Sequence, residues 1–365
     1  MWYNAMEMMT KEATMTGQIT QLLLRWYDEH HRRLPWRGIH DPYRTWVSET
    51  MLQQTRVETV LSYYDRFLAA FPTVEALAAA DIADVLKMWE GLGYYRRARN
   101  LHKGAQQVVA EYGGVIPRDT ASLLKLSGVG EYTAGAIASI AFDQPVPAVD
   151  GNVIRVVSRL MGLRENVAIP SVKREITRLA ASLVDEARPG DHNQAMMDLG
   201  ATICVPGTPD CAACPVREHC VAWADGDPEE LPVLPRKNPP KEIKYDVLLI
   251  LSGDRVLMRQ RTETLLEGMW VFPMLEGHAD AKDIAAAVKR RLGLPVACVE
   301  SLGDARHVFT HQVWQMKLHL LRTEAEKAPA GYAFVTAEDM AALAIPTAVA
   351  KAKKAAKEAL EEKKS

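Results

Sequence analysis

Five prolines fall within the stretch ADGDPEELPVLPRKNPPKEI, at positions 228, 232, 235, 239 and 240, between Ala224 and Ile243. Proline fixes φ and removes a backbone donor, so neither a helix interior nor a central strand can pass through this stretch. It reads as a linker. The 365 residues therefore divide into two domains, since single cores rarely grow beyond about 250–300 residues. Before the linker, QITQLLLRWYDEH, VETVLSYYDRFLAAF, RARNLHKGAQQVVAEY and SVKREITRLAASLV place apolar residues three and four apart, as helices do. After it the runs are short. In QVWQMKLHLL, Trp314, Met316, Leu318 and Leu320 alternate with polar neighbours, as on a half-buried strand. The expected organisation is an N-terminal extension over 1–17, an all-helical region over 18–223, the linker over 224–243, a smaller α+β domain over 244–350 and a charged tail over 351–365. The tail, KAKKAAKEALEEKKS, reads as a solvated helix without a function of its own.

No apolar run approaches the roughly 20 residues that span a bilayer. The start, MWYNAMEMMTKEATMTG, has neither the cationic cluster nor the apolar block of a signal peptide, so a cytoplasmic chain is expected. The formal net charge of -2 argues against a broadly basic surface, and any nucleic-acid site must be a local cationic face.

Four of the five cysteines lie in CVPGTPDCAACPVREHC, spaced C-x6-C-x2-C-x5-C as Cys204, Cys211, Cys214 and Cys220. Disulfides do not suit a cytoplasmic chain. Zinc usually takes two close pairs, and only one is present, so an all-thiolate iron–sulfur cluster fits better, although spacing alone leaves the choice open. Four protein ligands leave no open coordination position, which points to a structural staple. The remaining Cys298 reads as a buried apolar filler.

LSGVG, from Leu126 to Gly130, sets Gly128 and Gly130 one residue apart between two helical stretches. Such a turn can aim successive N–H groups outward at a helix start and hold a phosphate, but a lone G-x-G also serves many purely steric turns. Its context adds weight. VPAVDGNVIRV follows about twenty residues on, with Asp150 at an expected helix N-cap, and the cysteine loop comes after it.

The hairpin, Asp150 and the cysteine spacing together resemble the helix-hairpin-helix DNA glycosylases of the endonuclease III superfamily. WVSETMLQQTRV, GLGYYRRARNLH, VDGNVIRV and NQAMMDLGA narrow the resemblance to the MutY adenine glycosylase family, and the C-terminal part resembles the MutT-like, Nudix-type domain of that family. The resemblance implies an α plus α/β multidomain chain, a 4Fe-4S cluster on the four cysteines, and a monomer that acts on double-stranded DNA. Its substrate would be adenine mispaired with 8-oxoguanine or guanine, met at the nucleoid of a bacterial cell. Ser127 stands where that hairpin usually has proline and Thr50 where an apolar residue is common, but no catalytic group is lost.

Cleaving an N-glycosidic bond needs a proton for the departing base and negative charge beside the oxocarbenium-like sugar. Glu49, among Trp46, Val47, Met51 and Leu52, is expected to be kept protonated by apolar walls and is the general acid by resemblance. Asp150 is expected to stay ionised beside the sugar, with Tyr132 and Asn152 as its hydrogen-bonding partners. Gln54 and Tyr94, with Thr55 beside them, match wedges that fill the gap left by a flipped base, and Arg96 follows the aromatic pair Tyr94–Tyr95 as a DNA contact. Arg37 and Gln194 match the adenine pocket. In the second domain, DIAAAVKRRLGL has no glutamate where Nudix hydrolases carry magnesium ligands, so recognition is expected in place of hydrolysis. HVFTH supplies Phe309, Thr310 and His311 as the match to a lesion-sensing loop. The bifunctional relatives carry lysine where Tyr132 stands, so base removal without Schiff-base strand cleavage is expected. Two other readings remain: a glycosylase for another mismatch, and a non-enzymatic iron–sulfur DNA-binding protein, which would need no paired carboxylates.

Overall fold

The computed structural model describes residues 2–236 and 238–361, with the side chains of 2–14 and of residue 298 outside that set. The expectation for Cys298 therefore lies outside the described residues. Contacts group the chain into two compact units, Met1–Ala78 with Lys103–Arg236, and Ala79–His102 with Lys237–Ser365. Among the described residues, no helix is long and apolar enough to cross a membrane.

The chain before the linker is helical. α1 (Trp2–His30), α2 (Pro42–Leu52), α3 (Val57–Ala70) and α4 (Val74–Ala79) are followed by α5 (Ile82–Met88) and α6 (Arg96–Tyr112). Then come α7 (Thr120–Leu123), α8 (Glu131–Phe142), α9 (Gly151–Met161), α10 (Pro170–Leu183), α11 (Pro189–Thr202) and α12 (Val221–Asp225). The expected extension over 1–17 is continuous with α1. α2 starts on Asp41, whose carboxylate takes the N–H groups of Tyr43 and Arg44, with Pro42 in the first turn where no donor is missed. It is buried on nearly every side, from Tyr43 to Met51. α8 is buried from Thr133 to Ala141, and a Cβ at its Gly135 would meet the Pro147 carbonyl at 2.2 Å, so only glycine lets the segment leading to Asp150 lie against this helix.

The second unit is built on a mixed sheet. Its strands are β1 (Lys241–Ser252), β2 (Arg255–Gln260), β3 (Trp270–Val271), β4 (Met274–Glu276), β5 (Ala297–Val308), β6 (Gln312–Arg322) and β7 (Ala333–Val335). The order is β3-β2-β1-β6-β5, with β4 on β1 and β7 on β2. β1 and β6 run parallel, and the remaining pairs are antiparallel. Period-two alternation sends Val247, Leu249 and Leu251 to one face and Leu248 and Ile250 to the other. Ile284 and Val288 of α13 (Ala281–Leu292) cover the second face. α14 (Ala337–Ala342) and α15 (Ala350–Glu361) lie with the first. The tail differs from its sequence reading: Ala352, Ala356, Ala359 and Leu360 of α15 are buried in the core, so this helix is solvated on one side only. Small alanines on one stripe pack in the core while Lys354 and Lys357 face water.

Candidate active site

In the helical unit, burial in α2 places the Glu49 carboxyl at 5% exposure among Trp46, Val47 and Met51. Burial pushes it up to about 7, against the opposing pull of the Tyr132 hydroxyl and the Arg37 charge. Tyr132, in the first turn of α8, donates its hydroxyl proton to Glu49 Oε2. This corrects the expectation that Tyr132 would bond Asp150. Tyr132 also lies within reach of the Asp150 charge, since burial first and then Glu49 and Asp150 raise its phenol.

Asp150 is the N-cap of α9, with Oδ1 accepting from the Val153 N–H at 2.7 Å and Oδ2 from the Asn152 amide at 2.8 Å. Burial raises its pKa, and the bonds from Val153 and Asn152 oppose the rise. Two carboxyl groups thus meet different surroundings. Glu49 receives a neutral phenol in a dry wall, while Asp150 sits on a helix N-terminus with two N–H donors, where the dipole favours the ionised form.

Beyond Asp150, a chain of contacts runs that sequence reasoning missed. The Asn152 side-chain oxygen accepts from Arg155 at 2.8 Å, and Arg155 also donates to the Gly200 carbonyl at 2.7 Å and to the Cys204 carbonyl at 2.7 Å. Gly200 permits this approach, because a Cβ there would meet the Asn152 Cβ at 2.6 Å. Arg159, buried at 2% exposure, reaches Cys204 Sγ at 3.3 Å and the Val205 and Gly207 carbonyls. The i, i+3 and i+7 spacing of 152, 155 and 159 along α9 was the available signal.

Cys204, Cys211, Cys214 and Cys220 line one pocket with Arg159, Asp210 and Trp223. Among the described residues, no group of three or more His, Cys, Asp or Glu is already gathered on a single point. Four thiols around one pocket supply the donor set of an all-thiolate metal site. Burial pushes the Cys214 thiol up to about 12, and the Arg159 guanidinium lies beside the Cys204 sulfur.

Arg37 is held at Asp198, with bonds of 2.8 Å to each carboxylate oxygen and one of 2.8 Å to the Tyr27 hydroxyl. Arg32 shares Asp198 at 2.5 Å. Burial would raise Asp198, but its bonds to Arg37 and the charges of both arginines bring it below the usual range. Asp198 was missed, although it lies in NQAMMDLGA. Gln194 is buried and donates to the Gly190 carbonyl at 3.2 Å.

The hairpin lies between α7 and α8, with Gly128 at φ +80° and no side-chain cap on α8. Gly128 and Gly130 are exposed while Val129 is buried. Ser127 donates its N–H to the Gln107 side chain at 2.7 Å, a bond proline could not make. Gln53 ties α2 to Thr133 at 3.1 Å, and Gln54 next to it is exposed at φ +57°, with Thr55 following.

In the other unit, Tyr94 is 47% exposed at φ +48°, whereas Tyr95 is buried. Left-handed backbone at a side-chain-bearing residue costs on the order of 1–3 kcal/mol and gathers at functional positions. Gln54 and Tyr94 are two of the four described residues other than glycine with positive φ. Arg96 is exposed, and Arg97 lies over the Trp89 and Tyr94 rings at 5.5 and 5.4 Å. The Phe309–His311 loop joins β5 to β6, closed by the Phe309 N–H on the Gln312 carbonyl at 2.8 Å. Phe309 packs on Trp314, Thr310 and His311 are exposed, and the Thr310 and Tyr94 hydroxyls meet at 3.2 Å.

Residues 47–184 match the family described as HhH-GPD superfamily base excision DNA repair protein, and residues 246–355 match the NUDIX domain. The chain is 37% identical to the adenine DNA glycosylase of Mus musculus, over 90% of this chain and 76% of that protein. It is 30% identical to the adenine DNA glycosylase of Buchnera aphidicola subsp. Acyrthosiphon pisum, over 83% and 86%. Among solved structures, a thermostable thymine-DNA glycosylase superposes with a TM-score of 0.53 at 28% identity, covering 58% of this chain and 98% of its own.

Proposed function

Because the chain belongs to the adenine DNA glycosylase family, a hydrolase that removes adenine from DNA, we propose that it acts on adenine mispaired with 8-oxoguanine or guanine and leaves an abasic site without Schiff-base strand cleavage. The observation that carries the proposal is the pair of differently housed carboxyl groups, Glu49 raised to about 7 in a dry wall and Asp150 on a helix N-terminus. Glu49 protonates the departing adenine. Asp150 holds the cationic sugar and can form a transient covalent adduct with it. Gly128 and Gly130 take a phosphate at the start of α8, Gln54, Thr55 and Tyr94 occupy the gap left by the flipped base, and Arg96 contacts the backbone. Arg37, fixed by Asp198, and Gln194 form the adenine pocket. Cys204, Cys211, Cys214 and Cys220 hold a 4Fe-4S cluster whose role is to brace the loop between them. Phe309, Thr310 and His311 read 8-oxoguanine. The enzyme works as a monomer on duplex DNA in the bacterial cytoplasm.

A single-turnover assay on duplexes with adenine opposite 8-oxoguanine, guanine, cytosine or thymine tests the reading. Adenine release is expected to be fastest opposite 8-oxoguanine, and alanine at Phe309 and His311 is expected to reduce that preference more than the rate on a saturated complex. Equal rates opposite all four bases would remove the lesion reading, and base release from another mismatch alone would favour a different glycosylase. These substitutions belong in the full chain, because Ala79–His102 packs with the C-terminal residues and would be stripped by truncation.

Asn152→Ala gives a second check. Its amide holds the Asp150 carboxyl down, so losing it raises the Asp150 pKa further. Asp150 must be ionised to work, and activity is lost as pH falls through its pKa. The acidic limb of the single-turnover pH profile is therefore expected to move to higher pH, and an unshifted limb would mean that Asp150 is not the ionised partner.

A further inference from the structure

The segment that carries Tyr94 is pinned to the C-terminal residues by charge. Lys87 Nζ donates to the Leu343 carbonyl at 3.0 Å and pairs with Glu90 at 2.5 Å. The other Glu90 oxygen takes Lys353 of α15 at 2.9 Å. Arg99 pairs with Glu267 at 2.5 Å and donates to its carbonyl as well. Lys87, Glu90 and Lys353 are only 27, 20 and 32% exposed, and one carboxylate serves both ammonium groups. A shared, half-desolvated carboxylate is worth more than an isolated surface pair.

From Glu90 to Tyr94 the backbone is tightly wound, with Gly91 at φ +99°, Gly93 at +77° and Tyr94 at +48°. Side chains stiffen the turn. Trp89 Nε1 donates to the Gly93 carbonyl at 3.1 Å, the Tyr95 hydroxyl accepts the Gly91 N–H at 3.1 Å, and Arg97 donates to the Gly93 carbonyl at 3.2 Å. A five-residue turn held by these bonds carries any displacement of Glu90 to the Tyr94 ring, whose hydroxyl meets Thr310.

We propose that Glu90 and Lys353 are positioning residues that set Tyr94 against Thr310, so that the tail helix tunes the preference for 8-oxoguanine over guanine. This rests on the reading given above of Thr310 as a lesion contact and of Tyr94 as a residue that fills the gap left by the flipped base. Neither residue touches the reacting atoms.

The test measures single-turnover adenine release by the full-length enzyme, opposite 8-oxoguanine and opposite guanine. Lys353→Met keeps the aliphatic stem and removes the charge, and Glu90→Gln keeps the shape and removes the other charge. Each is expected to lower the 8-oxoguanine to guanine ratio about threefold to tenfold, in the lower part of the range of coupling between residues in one network, while the saturated rate opposite guanine is retained. Lys353→Arg is expected to restore most of the ratio. In a Tyr94→Phe background, which has no hydroxyl to place, Lys353→Met is expected to change the ratio no further. A ratio unmoved by both variants, or an equal loss in the Tyr94→Phe background, overturns the proposal. A wild type with no preference for 8-oxoguanine is a distinct result, and it overturns the lesion reading on which the proposal stands.

Discussion

Glu49→Gln is expected to lower the single-turnover rate of adenine release by about 10³-fold, within the range general acid catalysis contributes, while binding to the mispaired duplex is largely kept. The amide preserves size and can still meet the Tyr132 hydroxyl, but it has no proton to give at neutral pH. Burial is what makes the acid form available, holding the carboxyl at about 7 where an exposed glutamate would be ionised. The pH dependence follows with a definite sign. Below about 7 the carboxyl carries its proton and the saturated rate is flat with respect to this group. Above it the protonated fraction, and the rate with it, falls about tenfold per pH unit. Abasic product forming in the Gln variant at near the wild-type rate would remove Glu49 as the acid. A wild-type profile without a falling limb near neutrality would place the proton elsewhere.

The burial of Glu49 was legible because its sequence neighbours are apolar. Trp46, Val47 and Met51 flank it on α2 and are buried like it, so a short stretch of sequence already points to a buried helix there. Its hydroxyl partner was not, since Tyr132 lies 83 residues away and reaches Glu49 through the packing of α2 on α8. The same distance limit hid Asp198, which anchors Arg37 from 161 residues on, and the Cys204 carbonyl that takes Arg155. Periodicity gave the helices and the alternating face of β6, but it undervalued α15. Its buried stripe of Ala352, Ala356, Ala359 and Leu360 has little apolar bulk, and the intervening lysines dominate the composition. Nor could the chain order show that Ala79–His102 groups with residues beyond the linker, because the decisive partners, Leu343, Lys353 and Glu267, are all distant in sequence.

On the proposed function, the hydroxyl that meets Glu49 also bears on the outcome of the reaction. A phenol cannot form an imine, so the wild type is expected to release adenine, to give strand breaks only after alkali, and not to be trapped on DNA by borohydride. Tyr132→Lys puts an amine at the first turn of α8, beside Glu49 and within reach of the Asp150 charge. As adenine departs, the neutral amine can bond C1′, the sugar ring opens to an imine, and borohydride reduces that imine to a stable amine. A trapped protein–DNA complex is therefore expected in the variant where the wild type gives none. Two nearby carboxyl groups favour the ammonium form whenever they are ionised, while burial favours the neutral amine, so trapping is expected to be slower than base release by the unaltered enzyme. Efficient trapping of the wild type would contradict base removal without Schiff-base chemistry. Absence of trapping in the lysine variant, with adenine still released, would mean that the first turn of α8 does not bring its side chain to the sugar.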